Sequence, residues 1–193
     1  MNTPTREDAY TLLTEFNKND SLVKHALSVE AVMAHFARLL GEEPFEKWAV
    51  IGLVHDLDYE MYPEEHCKKS REILTQRGWP EDYIHAVISH GYGLCSDVEP
   101  VHRMEKVLYT IDELTGLVAA TAMVRPSKSI YETRTKSVLK KWNQKAFAAG
   151  VNREVIEKGA AMLGMPLETL VDETIKAMTS VAESIGLKGN VTA

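Results

Sequence analysis

With 193 residues, 45% of them hydrophobic and 26% charged, the chain has the length and composition to bury a substantial helical or mixed core. A net charge of −6 argues against nucleic-acid binding driven by bulk electrostatics. No apolar run approaches the ~18 residues that span a bilayer. The two cysteines form no spaced framework and the opening residues lack a signal-like charged and apolar stretch, so a cytoplasmic setting is expected.

Taken in order, the pattern is helical nearly throughout. Residues 5–17 predict a first helix with Leu12, Leu13 and Phe16 as its apolar contacts. Asp20 or Ser21 caps a second, running to about Leu40 before Gly41, with His25 on the same stripe as Val29, Val32, Met33 and Phe36. A third helix follows Pro44 to about Leu57. Its Trp48, Ile51, Gly52 and His55 fall at i, i+3, i+4 and i+7, which sets His55 on a buried stripe. Asp58 to Pro63 reads as a loop.

A fourth helix is expected from about Pro63, carrying His66, Ile73 and Leu74, with Glu64 and Glu65 at its positive end. Pro80 opens a fifth, ending at His90-Gly-Tyr-Gly93. The sixth, from about His102 to Val124, carries Met104, Leu108, Ile111, Thr115 and Val118 inward and Asp112 on its flank. Arg125-Pro-Ser-Lys-Ser129 breaks the pattern. A basic segment around Lys136, Lys140, Lys141 and Lys145 is expected to be a solvated helix face. Helices over 152–163 and 166–186 then complete the bundle, and the tail after Gly186 is expected to fray. No stretch alternates with period 2, so the fold class is all-α.

Six polar residues fall on inner faces or helix ends: His25, His55, Asp56, His66, His90 and Asp112. A carboxylate beside an imidazole on a buried stripe is costly to desolvate without a partner charge or a metal ion. Helix bundles build metal sites by converging inward side chains from several helices. Four imidazoles and two carboxylates suit a divalent Mn, Fe, Co, Ni or Zn ion. Six donors are more than one catalytic ion takes, which suggests two ions bridged by Asp56. His85 competes with His90, but Gly91 and Gly93 leave His90 the more open. His35 and His102 read as surface residues, and Cys67 and Cys95 as bystanders.

The order His25, His55-Asp56, Asp112 resembles the HD-domain superfamily of metal-dependent phosphohydrolases. Ala49-Val-Ile-Gly-Leu-Val-His-Asp-Leu57 resembles the family's apolar approach to its His-Asp pair, and Tyr109-Thr-Ile-Asp-Glu-Leu114 its terminal Asp segment. His66 and His90 look like the extra histidines of dinuclear members. The resemblance covers roughly residues 20–125. It implies an HD-type helical bundle with residues 126–193 packed on it as an extension, forming one domain over 1–193. It also implies one ion on His25, His55, Asp56 and Asp112, and a second on His66 and His90.

Many dinuclear members continue His-Asp with Ile-Gly-Lys, whereas this chain reads Leu57-Asp58-Tyr59. Asp58 is therefore expected as a catalytic base, as an acceptor behind a ligand histidine, or as a loop residue. Arg125 and Lys128 are expected to clamp a substrate phosphate, because guanidinium matches phosphate geometry. The implied function is hydrolysis of a phosphomonoester or phosphodiester, of a nucleotide or related small molecule, by metal-activated water. Asp56 would orient that water. The alternatives are an HD-fold di-iron oxygenase and a non-catalytic HD sensor module.

Overall fold

The computed structural model describes residues 3–190, and within them all regular structure is helical apart from one isolated bridge between Tyr92 and Ser96. The helices are α1 (Arg6–Phe16), α2 (Asp20–Leu39), α3 (Phe45–Val54), α4 (Lys68–Gln76), α5 (Glu81–Ser89), α6 (Arg103–Met123), α7 (Thr135–Trp142), α8 (Arg153–Leu163) and α9 (Leu167–Ser180). The all-α expectation holds. None of these helices is long and apolar enough to cross a membrane.

Helix starts follow the local chemistry. Thr5 and Asp8 form a reciprocal capping box on α1, Asn19 caps α2, and Asn152 caps α8 with two backbone bonds. His102 caps α6 in the same way, with its ring accepting from the Met104 N–H while Glu105 reaches back to the His102 backbone. That assignment gives the expected surface histidine a structural use.

The framework that positions the site is the packing of α2 on α3, with α6 laid against α2. Val29, Val32, Met33 and Phe36 of α2 and Ile51, Leu53 and Val54 of α3 are fully or almost fully buried. Gly52 sets how closely these two helices approach. A Cβ there would lie 2.8 Å from Met33 Cγ and 3.1 Å from the Val29 carbonyl oxygen. The two helices therefore meet one turn from both His25 and His55. On the other side of α6, Gly159 of α8 meets Thr110 at backbone distance, and α9 packs on both α2 and α6. Leu170, Val171, Ile175 and Met178 of α9 are buried there, as the C-terminal apolar pattern predicts.

Three boundaries differ from the sequence reading. The segment from Pro63 is a single 3-10 turn to Glu65, and α4 begins only at Lys68. The break is at Cys67, whose φ of 67° no helix continues. His66 therefore lies on a connection and not on a helix. The last helix ends at Ser180, not at 186, because Val181 leaves helical geometry. The chain after Gly186 is also held: Leu187 is buried, its carbonyl accepts from the Ile130 N–H, and the Asn190 N–H bonds to the Ser127 carbonyl. The remainder of the tail expected to fray, residues 191–193, lies outside the described residues.

Candidate metal centre

Four imidazoles and two carboxylates converge where α2, α3, α5, α6 and the Pro63–Cys67 connection meet. His25 comes from the first turns of α2, and His55 and Asp56 follow α3 directly. His90 follows α5, and Asp112 lies in the middle of α6. The six residues singled out in the sequence are all brought together.

They form two groups that share Asp56. His25, His55, Asp56 and Asp112 make one, with one donor atom from each lying within 4.8 Å of the others; Asp56, His66 and His90 make the second. Asp56 Oδ2 lies 3.3 Å from His55 Nε2 and 3.7 Å from His25 Nε2. Its other oxygen, Oδ1, lies 3.4 Å from both His66 Nε2 and His90 Nε2. Asp112 Oδ1 closes the first group, 2.9 Å from His25 Nε2 and 3.3 Å from His55 Nε2.

Each ring is oriented from behind through Nδ1. His55 Nδ1 donates to the Gly52 carbonyl at 2.8 Å and His90 Nδ1 to the Val87 carbonyl at 2.5 Å. His66 Nδ1 donates to Asp58 Oδ1 at 2.7 Å, and His25 Nδ1 sits 3.4 Å from Thr115 Oγ1. Such outer partners fix the tautomer so that Nε2 carries the free lone pair.

That polarity makes a cation necessary. His55 Nε2 is buried without a hydrogen-bond partner and faces two carboxylates. His66 Nε2 and His90 Nε2 are 3.1 Å apart, although both rings donate through Nδ1. Two lone pairs at that distance repel unless a proton or a metal ion lies between them. Protons show the same demand. Burial opposes charge on His55, yet attraction from Asp56 and Asp112 holds its pKa well above the ordinary imidazole value. Burial likewise opposes charge on Asp56 and Asp112, yet His55, with His90 and His25, holds both carboxyls well below their usual range. The donor set fits a first-row divalent ion.

A cavity of about 480 Å³ opens onto the cluster. Its wall includes His25, Asp56, His66, His90 and Asp112, together with Leu22, Tyr59, Leu94 and Val155. Glu113 also lines it, with its carboxyl pKa raised by burial and its Oε2 accepting from the Asn152 N–H at 2.9 Å. Nothing in the sequence marks Glu113 beyond its place after Asp112. A larger cavity of about 890 Å³ lies on the far side of α2, lined by residues such as Leu27, Ala31 and Phe45. His35 lines it too, but is bonded to Glu173 at 2.6 Å, and among the described residues no cluster of metal-ligating groups faces that space. The metal-ligating groups therefore face the smaller cavity.

Two expectations are corrected here. Asp58 is fully buried, with Oδ1 on His66 Nδ1 and Oδ2 accepting from the Ser70 N–H at 2.7 Å, and it does not line the cavity. It is an acceptor behind His66 and not a proton-transferring base. The same carboxylate caps α4, whose own first residue supplies no side-chain cap. Arg125 and Lys128 do not reach the cavity either. Arg125 lies two residues past the end of α6, whose last residue is 11 residues and about 16 Å of helical rise beyond Asp112, and its guanidinium faces Glu132 at 3.9 Å. Among the described residues, no Lys or Arg lines the cavity.

The bundle and its converging imidazoles and carboxylates define a helical metal-binding domain organised around an adjacent His-Asp pair. The HD-domain family model matches residues 22–117, and the chain belongs to the HD-domain superfamily, a family of metal-dependent hydrolases. No curated protein and no solved structure matches the chain.

Proposed function

We propose that the protein is a dinuclear metal-dependent phosphohydrolase acting on a phosphomonoester or phosphodiester of a nucleotide or related small molecule. The observation that carries this reading is Asp56, one oxygen of which faces His25 and His55 while the other faces His66 and His90. A carboxylate with a different oxygen toward each of two imidazole groups is suited to bridging two ions. Divalent ions bound there lower the pKa of water and polarise a phosphoryl oxygen, which is the chemistry phosphoester hydrolysis needs.

The chain's own residues supply the rest. His25, His55 and Asp112 hold the first position, and His66 and His90 the second. Gly52, Val87 and Asp58 keep the three innermost rings turned the right way. Tyr59 stands edge-on to the His66 ring, with centroids 5.2 Å apart, and forms part of the cavity wall. The cavity size lies within the ~300–1,000 Å³ typical of small-molecule sites. With Arg125 and Lys128 remote, neither would clamp a substrate phosphate, and ions held by His25, His55, Asp56, His66, His90 and Asp112 would supply the balancing positive charge.

Elemental analysis of the wild type beside Asp56→Ala and His66→Ala tests this reading, with phosphoester hydrolysis assayed on the same samples. About two ions per chain, one lost in His66→Ala and both weakened in Asp56→Ala, is the expected outcome. A protein that binds no metal under any loading would refute it. The same four imidazoles and bridging carboxylate, with no cationic side chain on the cavity, also favour a second reading, a di-iron oxygenase of an uncharged substrate. Oxygen uptake by iron-loaded protein without phosphoesterase activity would select it.

A further inference from the structure

Two thiols that play no part in this reading flank the second metal position. Cys67 directly follows His66, and Cys95 lies in the tight loop after His90. Their Sγ atoms are 3.2 Å apart. The Leu94, Cys95 and Ser96 N–H groups all return to the Gly91 carbonyl, which holds that loop in place. Both sulfurs lie over Gly91: a Cβ there would be 2.4 Å from Cys95 Sγ and 2.6 Å from Cys67 Sγ. Cys67 also sits at φ 67°, ψ −44°, a strained conformation that L-residues rarely adopt. Glycine would hold that backbone more cheaply. Cys95 is exposed and Cys67 is buried, the arrangement of an accessible thiol with a resolving thiol beside it.

We propose that Cys67 and Cys95 form a reversible disulfide when the protein meets hydrogen peroxide, and that this cross-link lowers metal affinity at the His66–His90 position. The second clause rests on the metal-centre reading above. In the first step the Cys95 sulfur attacks one peroxide oxygen; the O–O bond breaks, the other oxygen leaves as water, and Cys95 becomes a sulfenic acid. In the second step Cys67 Sγ attacks that sulfur; the S–O bond breaks, a second water leaves, and the S–S bond forms. Two thiols lose two electrons and two protons, and one peroxide is reduced to two waters. A dithiol reductant reverses the change.

Closing the sulfurs from 3.2 Å to a bonded ~2.05 Å brings them roughly 1.2 Å closer, a movement shared between rotation of the two side chains and a shift of the segments that carry them. Those segments also carry His66 and His90, whose Nε2 atoms at 3.1 Å already have the separation of two donors on one ion. Drawing the segments together takes them off that spacing.

The test uses the whole chain, treated with hydrogen peroxide and then mapped by peptide mass spectrometry, with metal affinity measured by Mn and Zn titration before and after. A Cys67–Cys95 cross-linked peptide is expected, cleaved by dithiothreitol, with second-ion affinity about tenfold lower in the oxidised form. In Cys67→Ser, a sulfenic-acid probe is expected to label Cys95, and in wild type it is not. Thiols left unpaired in folded, peroxide-treated protein would overturn the proposal. So would zinc held by the two sulfurs and protecting them from oxidation. A cross-link with unchanged second-ion affinity overturns the regulatory half. Failure of the reduced protein to bind any metal sinks the metal-centre reading instead, and the cross-link is still decided by the peptide map.

Discussion

Asp58→Asn separates the two jobs of one buried carboxylate. Asp58 Oδ1 accepts from His66 Nδ1 and Oδ2 accepts from the Ser70 N–H, each at 2.7 Å. Asparagine keeps the shape but has one acceptor and one donor. If the amide oxygen stays on Ser70, the NH2 faces His66 Nδ1 and that nitrogen must become an acceptor. The imidazole proton then moves to Nε2, which can no longer take an ion, the same tautomer logic that disables a catalytic histidine when its aspartate becomes asparagine. Loss of such an outer partner lowers metal affinity about 10–100-fold, or roughly 1.4–2.7 kcal/mol. If the amide turns the other way, the NH2 points at the Ser70 N–H, two donors meet in a fully buried site, and stability falls by about 1–3 kcal/mol. One of the two costs must appear. Metal titration and thermal melting of wild type, Asp58→Asn and Asp58→Ala measure both, and Asp58→Ala is expected to lose on each. If Asp58→Asn matches the wild type in second-ion affinity and in melting midpoint, this account of Asp58 is wrong.

Gly159→Ala is expected to destabilise even though alanine is the better helix former by about 1 kcal/mol. The added Cβ would lie 2.0 Å from Thr110 Oγ1 and 3.1 Å from its Cα, so backbone must move; overpacking of about 1–3 kcal/mol corresponds to a fall of roughly 2–12 °C in melting midpoint. A higher midpoint would show that α8 does not press on α6 there. Gly52→Val is expected to push α3 off α2, lowering stability by about 1–3 kcal/mol and weakening the first ion, which calorimetric metal titration reads. Retained first-ion affinity would detach that contact from the site. In chelator-stripped protein, the raised pKa of His55 makes its contribution complete below the ordinary 6.5 and lost as pH rises through the folded value. The lowered pKa values of Asp56 and Asp112 make theirs complete above the ordinary 3.8 and lost as pH falls through the folded values. The stripped form is therefore expected to melt highest in the weakly acidic range and lower toward alkaline pH. Metal needs deprotonated ligands, so the loaded form is expected to gain stability over the same rise. Superimposable profiles for the two forms would contradict the cation requirement.

The sequence showed which donors would meet but not what holds them. His25 and His55 were legible because each stands on an apolar stripe of period 3.6, and periodicity reports which face is buried. Asp56 and Asp112 were legible through the ordered motif that joins them to those histidines. His66 was found for a partly wrong reason: the acidic run after Pro63 reads as a helix start, whereas the helix begins after Cys67. Backbone φ at a single non-glycine residue leaves no trace in hydrophobic patterning. Asp58 lies in the turn after α3, as the loop reading of 58–63 expects, but its burial is not legible there. Its burial comes from α4 folding back over it, a tertiary contact 12 residues away. Arg125 and Lys128 lie past the C-terminal end of α6, and three turns of helix beyond Asp112 carry their side chains well away from a site at its middle.

The departure from Gly to Asp after the His-Asp pair then has a physical account. The rings of His55 and His90 take their outer acceptors from the backbone of the helix each one follows, Gly52 and Val87. His66 stands between a 3-10 turn and the start of α4, so no preceding helical carbonyl is in place behind it. A glycine at position 58 would leave both the His66 Nδ1–H and the Ser70 N–H without this partner in a buried setting. One aspartate supplies both, and its negative charge is favoured at the N-terminus of α4. Asp58 thus does for His66 what a helix does for the other two, which ties the second metal position to the folding of α4.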